Sequence, residues 1–156
     1  GSGGEPSERA LVQDALALFD QLAQRHAEIV LVGRSLGSGV AVQVASQRRV
    51  AQLLLVTPFD SIENVAARHY PMFPVRWLLR DRFRSSAHAV AITAPTLIVV
   101  AEQDRVIPPV HAEALQASFP PGVARLERIA GADHNDVSRQ PRYWQLLTEA
   151  VGSAPG

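Results

Sequence analysis

Ser35, Asp104 and His134 are the residues whose types and order could do covalent chemistry in this chain. A serine hydroxyl is a weak nucleophile until a neighbouring base takes its proton. Histidine is the natural base near neutral pH. A carboxylate behind the imidazole fixes its tautomer and stabilises the imidazolium that forms. Ser35 sits in Gly33-Arg34-Ser35-Leu36-Gly37, a G-x-S-x-G pattern. An apolar run, Ile29-Val30-Leu31-Val32, precedes it, and a small-residue stretch from Ser38 to Ala45 follows. Strand, glycine-flanked turn and helix is the layout of a nucleophile elbow. A side chain larger than Gly at 33 or 37 is expected to crowd the backbone there. The Leu36 N–H, at the helix start, is placed to face a developing oxyanion.

Five histidines compete for the base. His26 ends the first helix, before the elbow strand, and belongs at the opposite pole. His69 and His88 lie in an irregular segment, and His111 lies in a helix after Pro109. Only His134 follows a terminal strand in a glycine-containing loop. Asp104 follows the third strand; Asp60, after the second, is the alternate acid. Asp133 and Asp136 flank His134 too closely to orient its ring from behind. With Asp133 and Asp136, His134 matches no strong metal motif by spacing, so no metal or other cofactor is assigned. Arg34 is expected to form a salt bridge outside the site.

The elements that must position these groups follow from hydrophobic pattern. Ser7 is a candidate N-cap for a helix running to about Arg25. Strands are expected at 29–32, 51–56, 96–100 and 124–129, with helices from the elbow to about Gln47, from Pro108-Pro109 to about Phe119, and over 141–151. Residues 59–90 read as irregular or loosely helical. Near-continuous apolar strands alternating with helices argue for an α/β fold, a parallel sheet with helices on both faces. Ligands then sit beyond the carboxyl ends of the strands. Ser35, Asp104 and His134 all fall just past such ends.

The chain has 156 residues, formal net charge zero, 47% hydrophobic and 19% charged residues, which bounds it to one globular domain with no nucleic-acid surface. No apolar run approaches the roughly 18 residues of a membrane helix. No signal peptide is visible in residues 1–30, and the cytoplasm is the expected compartment. Cysteine is absent, which removes thiolate catalysis and disulfides. All 15 basic residues are Arg, which removes Schiff-base and Ser–Lys chemistry.

Four segments together resemble the α/β-hydrolase superfamily, in its branch of small-lid esterases, thioesterases and peptidase-like enzymes. They are Gly33–Gly39, Thr57-Pro58-Phe59-Asp60-Ser61-Ile62, Ala101–Pro108 and Gly131–Asp136. The Ser…Asp…His order is also that of the family. The resemblance covers nearly the whole chain as a single domain over 1–156. It implies that Ser35 is nucleophile, that Asp104 orients and His134 is base, and that residues 62–90 form a small lid. Phe59, Phe73 and Trp77 are candidate linings of an apolar acyl pocket.

The family's sheet usually has eight strands, and this chain accounts for the last four. The loop that supplies the second oxyanion donor in the family is absent, which leaves Leu36 N–H; losing one such donor costs about 10²–10³ in rate. The elbow strand becomes a sheet edge, which invites pairing with another chain. A homo-oligomer through this edge, with the sheet completed by a second copy, is the expectation; a piece of a longer protein is the alternative. The expected function is a serine hydrolase acting on carboxylic esters or thioesters, with a catalytically impaired scaffold as the competing reading.

Overall fold

The computed structural model describes residues 7–69 and 82–152. Helix α1 (Glu8–Ala23) starts where expected: the Ser7 Oγ accepts the Ala10 N–H at 3.1 Å, satisfying one of the free donors of the first turn. Then come β1 (Val30–Arg34), α2 (Leu36–Gln47) and β2 (Gln52–Val56). Among the described residues, two short helices, α3 (Ile62–His69) and α4 (Ser85–Ala89), occupy part of the segment read as irregular or loosely helical. Strand β3 (Thr96–Ala101), α5 (Pro109–Ser118), β4 (Ala124–Ile129), a 3-10 turn (Val137–Arg139) and α6 (Pro141–Gly152) complete the order.

The strands form one parallel sheet in the order β1-β2-β3-β4. Every residue of β2 and of β3 is buried, which is why both read as unbroken apolar runs. Their side chains alternate between two cores. Leu53, Leu55, Ile98 and Val100 pack with Phe19 of α1, Val42 and Val44 of α2, and Leu115 of α5. Leu54, Val56, Leu97 and Val99 pack on the other face with Tyr143, Leu146 and Ala150 of α6. Full burial of one such side chain is worth about 1.5–3 kcal/mol, so β2 and β3 anchor the sheet that holds the loops at its carboxyl end.

Among the described residues, strand β1 pairs only with β2 and is an edge, as its sequence position implied. Val32 on it is 55% exposed. An apolar groove of about 330 Å³ runs between α1, β1 and the start of α2, lined among others by Leu18, Leu22, Leu31 and Val32. Gly37 borders this groove, and a Cβ there would meet open space. The expected crowding at Gly37 is therefore absent. It occurs at Gly33, where a Cβ would stand 2.6 Å from the Gly37 carbonyl oxygen, and at Gly39, 2.8 Å from Phe83.

Candidate active site

The β1–α2 junction forces Ser35 into an unusual backbone. Its N–H is still part of the sheet, donating to the Val56 carbonyl at 2.9 Å, while α2 begins at the next residue. Reversing direction within one residue puts Ser35 at φ 50° and ψ −120°. A non-glycine residue at positive φ outside the left-handed helical basin is strained by about 1–3 kcal/mol. The Ser35 carbonyl accepts the Ser38 N–H at 2.9 Å and its hydroxyl at 2.5 Å, which locks the turn. Leu36 is the first residue of α2, so its N–H has no partner within the helix.

Asp104 lies in the turn after β3 and is 5% exposed. Its Oδ1 accepts the Val106 and Ile107 N–H groups at 2.9 and 2.8 Å. Its Oδ2 lies 2.8 Å from His134 Nδ1. An ionised carboxylate only accepts, so Nδ1 donates to it, and in the neutral imidazole Nε2 is then the acceptor. That is the tautomer a general base needs.

The His134 loop is built by its own side chains. Gly131 turns the chain out of β4 at φ 72°. Asp133 Oδ1 accepts the Asn135 and Asp136 N–H groups, and Asp136 Oδ1 accepts the Asp133 N–H. Those two carboxylates serve their own backbone, and neither reaches behind the imidazole. His134 borders a cleft of about 290 Å³ lined by Gln103, Arg105, Val106, Asp133 and Asn135. Among the described residues the Ser35 Oγ makes no hydrogen bond to His134.

Asp60, the alternate acid, is committed elsewhere. Its Oδ1 lies 2.9 Å from His111 Nδ1, and its Oδ2 accepts the Asn64 side-chain amide at 2.5 Å. Burial pushes the Asp60 carboxyl up, but hydrogen bonds from His111, Asn64 and Ser61 outweigh it and hold the group below the ordinary aspartate value. The buried His111 Nε2 has no hydrogen-bond partner among the described residues. Nothing in the spacing of Asp60 and His111, 51 residues apart, signalled this pair.

Arg34 also differs from expectation. Among the described residues it makes no salt bridge and donates instead to the His134 carbonyl at 2.9 Å and to the Ser138 Oγ at 3.3 Å. Phe59, a candidate pocket lining, is 1% exposed and packs with Ile62, Val65, Phe83 and Ile107. Its ring meets Phe83 edge-on at 6.5 Å, so it packs as core in this structure. Phe73 and Trp77 lie outside the described residues. Of the expected lid over 62–90, helices α3 and α4 are described. His26 lines a cleft at the amino ends of the strands with Glu28 and Pro95, at the pole away from the site.

A family model described as alpha/beta hydrolase domain matches residues 5–145. An uncharacterized protein of Mycobacterium tuberculosis is 37% identical over 140 residues, covering 87% of this chain and 50% of that protein. The alpha/beta hydrolase domain-containing protein aho-3 of Caenorhabditis elegans is 32% identical over 154 residues, covering 96% of this chain and 45% of that protein. The chain thus spans about half the length of these curated relatives. Among solved structures, an acetyl xylan esterase from Paenibacillus sp. R4 superposes with a TM-score of 0.77 at 19% identity, over 94% of this chain and 52% of that one. A monoacylglycerol lipase from Paleococcus ferrophilus superposes with a TM-score of 0.65 at 19% identity, over 97% and 76%. At such identity the likeness concerns the fold alone.

Proposed function

Since the chain belongs to the alpha/beta hydrolase family, we propose that it is a serine hydrolase cleaving carboxylic esters or thioesters through an acyl-enzyme on Ser35. The observation that carries this reading is the Asp104–His134 bond of 2.8 Å, closed at the same end of the sheet as the strained Ser35. In the proposed reaction Ser35 Oγ attacks the acyl carbon while His134 Nε2 takes its proton. The oxyanion meets the Leu36 N–H. The intermediate collapses, the leaving alcohol or thiol takes the proton from His134, and Ser35 is left acylated. Water then attacks the acyl carbon with His134 again as base, releasing the acid and restoring Ser35. The scheme uses no cofactor.

A second reading, an impaired hydrolase-like scaffold, draws on the open Ser35–His134 link. Catalytic hydrogen bonds often tighten only when substrate binds, so the open link is compatible with the first reading as well. The exposed β1 edge supports the further proposal that two copies of this chain pair there.

Covalent labelling with a fluorophosphonate, mapped by peptide mass spectrometry, tests the first reading. Labelling at Ser35 that is lost in Ser35→Ala supports it. A folded chain that does not label overturns it and leaves the scaffold.

A further inference from the structure

We propose that Arg34 is a positioning residue for His134, clamping the base loop to the nucleophile strand; this rests on the reading of Ser35 and His134 as nucleophile and base. The need for a clamp follows from topology. Ser35 ends β1 and His134 follows β4, and these strands are the two opposite edges of the sheet. At about 4.8 Å per strand pair, their axes stand about 14 Å apart. The base loop must therefore reach back across the ends of β3 and β2 to approach Ser35.

The bond to Asp104 does not by itself fix that reach. Asp104 follows β3, next to β4, so its bond ties the ring to the β3 turn and makes no link to β1. The Asx-type bonds of Asp133 and Asp136 shape the loop internally. Among the described residues, only Arg34 makes hydrogen bonds between the β1–elbow segment and residues 131–139. One bond goes to the His134 carbonyl itself, 100 residues away, and the other to Ser138. Trp144 Nε1 holds the Ser138 carbonyl at 2.9 Å, so the second anchor is tied to α6.

A guanidinium suits this task. Two of its nitrogens reach two acceptors at once, and its planar fork fixes their relative placement. Lysine carries a single point of charge and cannot hold both with the same geometry. Arg34 needs no contact with substrate to matter, because displacing a catalytic group by about 1 Å can cost about 10²-fold in rate.

The test uses the intact chain and two independent readouts. The first is the rate constant for fluorophosphonate labelling of Ser35. Arg34→Ala is expected to lower it by about 10²-fold at unchanged thermal midpoint. Arg34→Lys should fall between the two, and Ser138→Ala should lose less than Arg34→Ala. In a His134→Ala background, Arg34→Ala should add no further loss, since it acts through the histidine. A wild-type rate in Arg34→Ala, or an undiminished further loss without His134, overturns the clamp.

The second readout is histidine side-chain NMR. The His134 ring signals should broaden or shift in Arg34→Ala while those of His26 stay put. Unchanged His134 signals overturn the clamp even if the wild type does not label. Absent labelling with perturbed His134 signals would instead retire the hydrolase reading and keep the contact as a loop anchor.

Discussion

Asp60 and His111 form a buried pair, Oδ1 to Nδ1 at 2.9 Å, that repeats the carboxylate-to-Nδ1 contact of Asp104 and His134. The two pairs differ in access. The His111 side chain is 5% exposed and His134 is 14% exposed. The pair also ties the segment after β2, where α3 starts, to α5, which follows the Asp104 turn.

This pair gives a pH dependence. The Asp60 carboxyl is held below its ordinary value, so the unfolded chain binds the proton more tightly than the native one. Its contribution is complete above the ordinary aspartate range, near pH 4, and fades as pH falls through that range and below. Urea unfolding between pH 5 and the acid limit should show stability falling as pH drops, with a shallower fall in Asp60→Asn. Equal slopes would remove Asp60 from the acid limb.

Asp60→Asn and Asp104→Asn should part ways in activity. Asparagine at 104 can offer its NH₂ to the imidazole, which then presents the wrong tautomer toward Ser35. Labelling of Ser35 should fall by about 10⁴-fold, the scale of the same swap in a serine-protease triad. Asp60→Asn should label near the wild-type rate. The reverse pattern would make Asp60 the orienting acid.

Ser35 at φ 50° and ψ −120° stores strain that glycine would release. Ser35→Gly is expected to gain about 1 kcal/mol after the entropy cost of glycine, or about 2–4 °C in melting temperature. Ser35→Ala keeps the Cβ and should shift little. Calorimetry on both variants checks this, and equal midpoints would argue against strain at the elbow.

Gly33 and Gly37 flank the same serine but should tolerate alanine differently. At Gly33 a Cβ would lie 2.6 Å from a backbone oxygen and 2.7 Å from the Ala41 Cβ, so Gly33→Ala should cost about 1–3 kcal/mol. At Gly37 there is open space inside the first turn of α2, so Gly37→Ala should be neutral or stabilising by about 0.5–1 kcal/mol. Urea midpoints of the two variants decide.

The β1 edge should bring two copies together. Light scattering at micromolar concentration is expected to give a dimer, and Val32→Lys should return it to a monomer. A monomer in the wild type would end the pairing proposal.

The parallel sheet was legible because β2 and β3 are buried on both faces, and such strands must be apolar throughout. The elbow was legible because a strand-to-helix turn at Ser35 needs a glycine at 33, whose missing Cβ leaves room for the Gly37 carbonyl. Local signals also placed the Ser7 cap. These features depend on neighbours in the chain, and their physics is written within a few residues.

What tertiary structure decided was pairing across distance. Asp104, rather than Asp60, meets His134; Asp60 meets His111; Arg34 turns to the His134 carbonyl in place of a carboxylate; Phe59 goes into core. Each partner lies 30 to 100 residues away in the first three cases. A carboxylate, an imidazole or a guanidinium accepts many partners of the right polarity. Only the order of the strands and the loops they bring together selects one.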